Sequence, residues 1–251
     1  MSPSPLAAFA SIWMTITRIP LPEPLRPKAL TLPSAEAMTA MPLAGALFAL
    51  IATLPAWLVA LFAPPQPCAW LACALYTALG WSFHIDGWGD LWDGFGSGRR
   101  GEAMRAVMKD SRTGSFGVAG IVLALGLRAA PLASIPPEHW LSACILAGGV
   151  GRLGSNAAAF AGTYPWPSGI GRDIVMGTGL HRLGLAVLLS CLLIPFDPVV
   201  WLCGMLLAAA GGYALATATS RVLGGVNGDV LGAAAVLGEL LVLAVASVKY
   251  C

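Results

Sequence analysis

The chain has 251 residues, of which 57% are hydrophobic and 10% charged, and its formal net charge is +2. With a mean hydropathy of +0.78, this composition excludes an ordinary soluble domain, and the small net charge argues against a nucleic-acid partner. Several apolar runs reach the roughly 20 residues that a helix needs to cross a bilayer. The sequence therefore predicts an all-α, polytopic bundle of transmembrane helices, surrounded by lipid and forming one domain over residues 1–251.

The first 40 residues are predicted to form an amphipathic or extended segment ahead of the first span. Residues 6–17 are apolar and suit either the membrane surface or a packing position on the bundle. Prolines recur between residues 20 and 33 and prevent the helix from continuing. Arg18, Arg26 and Lys28 make this segment basic.

Proline-rich hairpins divide the rest of the chain into about seven predicted spans. The predicted spans cover residues 41–63, 66–84, 114–135, 139–161, 180–196, 198–217 and 230–248. In this arrangement most of the lysine and arginine residues fall in the N-terminal segment and in the connections on the same side. The positive-inside rule then places the N-terminus in the cytoplasm, and we expect a multi-pass protein of the cell inner membrane.

The stretch from Trp81 to Gly117 carries the densest polar chemistry. Asp86, Asp90 and Asp93 have the spacing i, i+4, i+7, which places them on one face of a helix. Three neighbouring carboxylates need a counter-charge, and Mg²⁺ prefers carboxylate oxygens together with substrate phosphates. We predict a helix end that unravels into a glycine-rich loop, within a cytoplasmic active-site loop over residues 85–113. The alternative is a solvated loop that happens to carry acids.

Basic residues follow these acids directly before the third predicted span. Lys109, Asp110, Arg112 and Gly114 lie at a predicted helix N-terminus, where free N–H groups and cations suit a phosphate. Arg112 could hold it with two hydrogen bonds, and Lys109 adds a point charge. The alternative is that these cations only anchor a span on the cytoplasmic side.

Three further polar residues are candidates for the same site. Asp229 follows a run of small residues at a predicted helix start, and it is either a metal ligand or a helix cap. Arg152 lies inside a predicted span, where ionisable residues face the interior, and we expect it to line a cavity above the acids. His84 is a candidate ligand, a candidate base, or a buried hydrogen-bonding group.

The motifs resemble those of the cobalamin-5′-phosphate synthase family, also called adenosylcobinamide-GDP ribazoletransferase. They are HxDGxxDxxDGxG over residues 84–96, MKDSRxGxxG over 108–117, TRIPLP over 17–22, PLxG over 42–45 and GGxxGDxxGA over 224–233, with Glu239 beyond. The resemblance covers nearly the whole chain. One departure is Asn227, where the family pattern has threonine.

The resemblance implies a Mg²⁺-dependent membrane enzyme of the last steps of cobalamin biosynthesis. Its small-molecule substrates are adenosylcobinamide-GDP and α-ribazole or α-ribazole 5′-phosphate, its products are adenosylcobalamin or its 5′-phosphate and GMP, and an oligomer is compatible with the sequence. Under this hypothesis Asp86, Asp90, Asp93 and Asp229 bind metal, and His84 or one of the aspartates takes the hydroxyl proton. The substrate-binding candidates are Lys109, Asp110, Arg112, Gly114 and Arg152.

Two other functions stay open at this point. A CDP-alcohol phosphotransferase also uses closely spaced aspartates, but this chain lacks the later GxxxDxxxD part of that pattern. A non-catalytic ion pathway would place acids near the middle of the membrane, whereas these acids lie at one edge of the predicted spans.

Overall fold

The computed structural model describes residues 4–26, 34–169 and 171–251, so Lys28 of the predicted basic segment lies outside the described residues. Within these ranges the protein is helical and contains no strand, which confirms the all-α prediction. The helices are α1 (Pro5–Ile16), α2 (Ala35–Met38), α3 (Met41–Ala60), α4 (Pro65–Leu79), α5 (Phe83–Gly96), α6 (Gly101–Met108), α7 (Ser115–Ser134), α8 (Trp140–Val150), α9 (Leu153–Ala161), α10 (Arg172–Gly177), α11 (Leu180–Ser190), α12 (Pro198–Val222) and α13 (Gly228–Tyr250).

Four of the described helices are long and apolar enough to cross a membrane, namely α3, α7, α12 and α13, and the bent pair α4 and α5 could supply a fifth. The predicted count of seven is not confirmed. Predicted span 139–161 is divided between α8 and α9 at Gly151 and Arg152. Predicted span 180–196 consists of α11 and a 3₁₀ turn, Cys191–Phe196, and is shorter than a full span.

Prolines define the hairpins where the sequence predicts them. α4 begins at Pro65 and α12 at Pro198, the first helical position, at which the missing N–H of proline costs nothing. The Asp197 carboxylate then accepts hydrogen bonds from the N–H groups of Val199 at 2.9 Å and Val200 at 3.0 Å. Asp197 therefore caps the N-terminus of α12 directly after the proline-containing hairpin.

The helices approach one another closely at glycines. A Cβ atom on Gly45 of α3 would lie 2.0 Å from the Gly148 carbonyl oxygen of α8, and one on Gly238 of α13 would lie 2.1 Å from the Gly151 carbonyl oxygen. No larger residue fits at these positions unless the helices separate. In lipid the hydrophobic effect does not drive helices together, so their association depends on the close van der Waals packing that small residues permit.

A bend of 93° separates α4 from α5. Trp81 (φ 43°) and Ser82 (φ 59°) adopt the left-handed conformation there, which side chains rarely adopt. The chain after α1 holds the bend, since the Arg18 N–H donates to the Leu79 carbonyl at 2.8 Å and the Arg18 guanidinium lies over the Trp81 ring at 3.8 Å. The bend therefore comes before the acidic residues.

The predicted loop at the acidic residues is wrong. The bend ends α4, and a new helix, α5, begins directly after it. α5 contains all three aspartates and ends at Gly96. α6 follows after a short turn, so residues 85–113 are largely helical. In the described part of residues 1–40, the apolar stretch forms α1, which ends at Ile16 before the prolines, and α2 begins at Ala35.

Candidate active site

Four aspartates meet where α5, α7 and α13 converge. Asp86, Asp90 and Asp93 lie on α5, and Asp229 lies in the first turn of α13. Gly87 permits the approach, since a Cβ atom there would lie 2.9 Å from the Cα atom of Asp229. The charges of Asp86, Asp93 and Asp229 all act on Asp90. The structure thus brings the four predicted metal ligands to one end of the bundle.

The donor chemistry of these residues fits a hard divalent cation. Among the described residues, none of the four carboxylates forms an ion pair with lysine or arginine, so their charge has no direct protein partner. Yet no three histidine, cysteine or acidic side chains of the described chain lie close enough together to hold a metal ion. The aspartates are gathered in one region without forming a ligand shell.

Asp93 caps α7. Its Oδ2 atom accepts the Gly114 N–H and its Oδ1 atom accepts the Gly117 N–H, both at 2.7 Å. A carboxylate at a helix N-terminus is favoured by the helix dipole. Glycine is required at both contacts, because Cβ atoms there would lie 2.5 and 2.3 Å from the carboxylate. The N–H groups that the sequence offers to a phosphate are therefore bound by Asp93 at these two positions.

We expect Asp93→Ala to destabilise the protein by about 1–2 kcal/mol, the usual cost of losing an N-terminal cap. Asp93→Asn keeps one acceptor oxygen and should lose less. Thermal unfolding of the purified variants in detergent measures the difference. A melting temperature of Asp93→Ala equal to that of the wild type would show that the cap does not stabilise α7.

Asp110 and Arg112 bind each other. The Asp110 Oδ1 atom accepts from the N–H of Arg112 at 3.0 Å and from its Nε atom at 3.1 Å, and Oδ2 accepts from Nη2 at 2.8 Å. These hydrogen bonds lower the pKa of Asp110 to about 2. Both side chains are exposed, beside Lys109 at the end of α6. Part of the guanidinium that the sequence offers to a phosphate is thus occupied.

Arg152 and His84 lie in an interior network. Arg152, 1% exposed, donates through Nη2 to Glu239 Oε1 at 2.7 Å and to the Tyr76 hydroxyl at 2.9 Å. Its Nη1 lies 2.8 Å from His84 Nδ1. Because arginine only donates, this Nδ1 is an acceptor and the proton of a neutral ring lies on Nε2. That Nδ1 atom is therefore not free to act as the base.

Glu239 is the centre of this network. It also pairs with Arg128 of α7, so one carboxylate of α13 joins α4, α7 and the break between α8 and α9. The sequence singles out Arg152 and places Glu239 in the last span without pairing them. The signal that could have found the pair is that ionisable residues inside a membrane bind one another.

The segment 162–169 packs beside the site, which the sequence did not predict. The Val226 N–H donates to the Thr163 carbonyl at 2.9 Å, and the Trp166 indole N–H donates to Glu102 Oε1 at 2.7 Å. These contacts join the segment to α6 and to the turn before α13. No charge or motif in it indicates this position.

Asn227, the departure from the family pattern, caps α13. Its Oδ1 atom accepts the Val230 N–H at 3.0 Å, and its Nδ2 donates to Asp229 Oδ2 at 2.9 Å. Asn227, and not Asp229, is therefore the helix cap. The Asp229 carboxylate is oriented by a side-chain amide.

The fold and the site define a polytopic helical membrane protein with a carboxylate-rich polar site at one end of its bundle. Comparison with known families gives the particular one. The chain belongs to the cobalamin-5-phosphate synthase family, whose model matches residues 8–247. This confirms the resemblance seen in the motifs.

Similar proteins are named adenosylcobinamide-GDP ribazoletransferase. The one from Syntrophobacter fumaroxidans is 33% identical over 245 residues, covering 95% of this chain and 96% of the relative. The one from Bradyrhizobium diazoefficiens is 33% identical over 217 residues, covering 85% and 83%. No solved structure matches the chain.

Proposed function

We propose that the protein is an adenosylcobinamide-GDP ribazoletransferase of cobalamin biosynthesis. It joins adenosylcobinamide-GDP to α-ribazole, or to α-ribazole 5′-phosphate, and releases GMP. The observation that carries the proposal is the family match over residues 8–247, because it includes all four aspartates together with Lys109 and Arg112. The same match argues against a CDP-alcohol phosphotransferase.

The reaction is a phosphoryl-group transfer. A ribose hydroxyl oxygen attacks the cobinamide-side phosphorus, a new P–O bond forms, and the bond to the bridging oxygen breaks, so that GMP leaves with that electron pair. The hydroxyl proton passes to an aspartate of the site, for which Asp90 is the central candidate. Lys109 and Arg112 lie beside the acids and stabilise the charge of the leaving phosphate.

Mg²⁺ is part of this proposal. Asp86, Asp90 and Asp229 would hold it. Asp93 would contribute through the oxygen lone pairs that its hydrogen bonds to α7 leave free. The bound ion would supply positive charge against the diphosphate and the developing negative charge on the leaving group. Because none of the four carboxylates forms an ion pair within the described residues, a bound cation would relieve their mutual repulsion.

We further propose that the site lies on the cytoplasmic side of the cell inner membrane, with the N-terminus on the same side. Arg99, Arg105, Lys109 and Arg112 all surround the site end of the bundle, and cytoplasmic connections are enriched in such residues. An ion pathway is not favoured, since the one interior carboxylate, Glu239, is held in ion pairs by Arg128 and Arg152 and is not free to bind a passing cation.

Purified protein mixed with adenosylcobinamide-GDP and α-ribazole should release GMP, and neither substrate alone should give it. Chromatographic measurement of GMP tests the reaction. Chelation by EDTA should stop the release and added Mg²⁺ should restore it. If GMP is still released in EDTA, the reaction does not need a metal ion, and only the Mg²⁺ part of the proposal is wrong. Formation of CMP from a CDP-alcohol lipid, with no GMP, would replace the proposed reaction by the phosphotransferase alternative.

A further inference from the structure

An open basin lies beside the aspartates, at the end of the bundle where α6 and the turn before α7 meet. Its volume is about 460 Å³, within the range of sites that hold small molecules. It is lined by Asp93, Arg99, Ala106, Val107, Asp110, Arg112, Thr113 and Gly114. Most of this polar lining consists of residues of the proposed substrate site, but Arg99 has no role there.

Three of the four charged side chains in the basin are committed to other protein groups. Asp93 binds the first N–H groups of α7, and Asp110 binds Arg112 through three hydrogen bonds. The side chain of Arg99 forms no ion pair with any described residue, and it is exposed. Arg99 is thus the cation of the basin without an ion-pair partner among the described residues, whereas Arg112 offers a ligand only the part of its guanidinium that Asp110 leaves free.

The turn that carries Arg99 has a defined shape. Gly98 (φ 65°) and Gly101 (φ 56°) adopt the left-handed conformation on either side of Arg99 and Arg100. Within it, the Ser97 hydroxyl accepts the Arg99 N–H at 3.1 Å and donates to the Gly94 carbonyl at 2.7 Å. The turn places Arg99 at the basin, whereas the neighbouring Arg100 directly precedes α6 and does not line the basin.

We propose that Arg99 is a further substrate-binding residue, which holds the phosphate of the guanosine nucleotide in the basin, both in the substrate and in the GMP product. The inference rests on the proposed function. The nucleotide is the most polar part of the substrates and enters from water, to which the basin is open. A planar guanidinium binds phosphate oxygens through two parallel hydrogen bonds, which makes an unpaired arginine a fitting partner.

Steady-state kinetics of Arg99→Ala test this, with Arg100→Ala as the matched control. Arg99→Ala should raise the KM for adenosylcobinamide-GDP about tenfold and weaken inhibition by GMP by a similar factor. The KM for α-ribazole should stay near the wild-type value, and Arg99→Lys should fall between. Arg100→Ala should behave as the wild type. Because both residues are exposed, all these variants should keep the wild-type melting temperature.

Equal KM values for Arg99→Ala and Arg100→Ala would overturn the assignment. Direct binding of radiolabelled GMP to the purified protein separates this outcome from failure of the proposed reaction. If the wild-type protein catalyses no transfer but binds GMP, and Arg99→Ala weakens that binding, the proposed function is wrong and the assignment of Arg99 stands. If Arg99→Ala catalyses the transfer normally and binds GMP as well as the wild type does, the proposed function stands and the assignment of Arg99 is wrong.

Discussion

Replacing Asp90 with asparagine is expected to lower the transfer rate by about a thousand-fold, since a metal in phosphoryl transfer contributes several kcal/mol and each 1.36 kcal/mol is a factor of ten. Asp90 is the central carboxylate, on which the charges of Asp86, Asp93 and Asp229 all act. The substitution keeps the shape of the side chain and removes its charge. Release of GMP by purified protein gives the rate.

Glu138→Gln is the control for Asp90→Asn. Glu138 is exposed in the hairpin between α7 and α8, at the end of α7 opposite the site. The Glu138→Gln variant should release GMP at the wild-type rate. Full activity of Asp90→Asn, with wild-type expression and melting behaviour, would remove both the metal and the base roles of Asp90. Binding of Mn²⁺ followed by electron paramagnetic resonance should weaken in the same variant, which ties the loss to the metal.

Glu239→Ala should cost about 3–5 kcal/mol, because it leaves the buried Arg152 and the partly buried Arg128 without their counter-charge. Glu239 is 2% exposed and pairs with Arg128 and Arg152. Thermal unfolding in detergent should show a fall of about 10 °C or more. Glu239→Gln keeps a hydrogen-bond acceptor for Tyr76 and should lose less than alanine.

Glu23→Ala provides the comparison for this loss of stability. Glu23 is exposed in the described N-terminal segment and forms no ion pair among the described residues. Its removal should leave the melting temperature unchanged. If Glu239→Ala melts as Glu23→Ala does, the interior network does not hold the bundle together.

Local rules account for the parts of the fold that could be predicted. Clustered prolines separate helices, so the hairpins around Pro65, Pro136 and Pro198 lie where the sequence puts them, although the single prolines Pro55 and Pro131 lie inside α3 and α7. The spacing of the aspartates correctly indicates one helix. The family resemblance depended on residue identities alone and needed no geometry.

The errors lie where contacts between distant residues decide the structure. Hydropathy alone extends the second span into residue 84, because it contains no information about the hydrogen bond from Arg18 to Leu79 that holds the bend. The role of Asp93 as a cap depends on α7 arriving beside α5. The position of Arg152 depends on Glu239, which belongs to another helix. Each of these needs the folded neighbour to be known.

The pairing of the interior charges has a consequence for the insertion of the helices while the protein chain is being synthesised. Arg128 and Arg152 leave the ribosome well before Glu239, so the nascent chain holds two cations whose carboxylate is not yet made. α13, the most buried of the four candidate spans, supplies their shared carboxylate only when it is inserted. A chain interrupted before α13 would therefore hold both arginines in the bundle without that carboxylate.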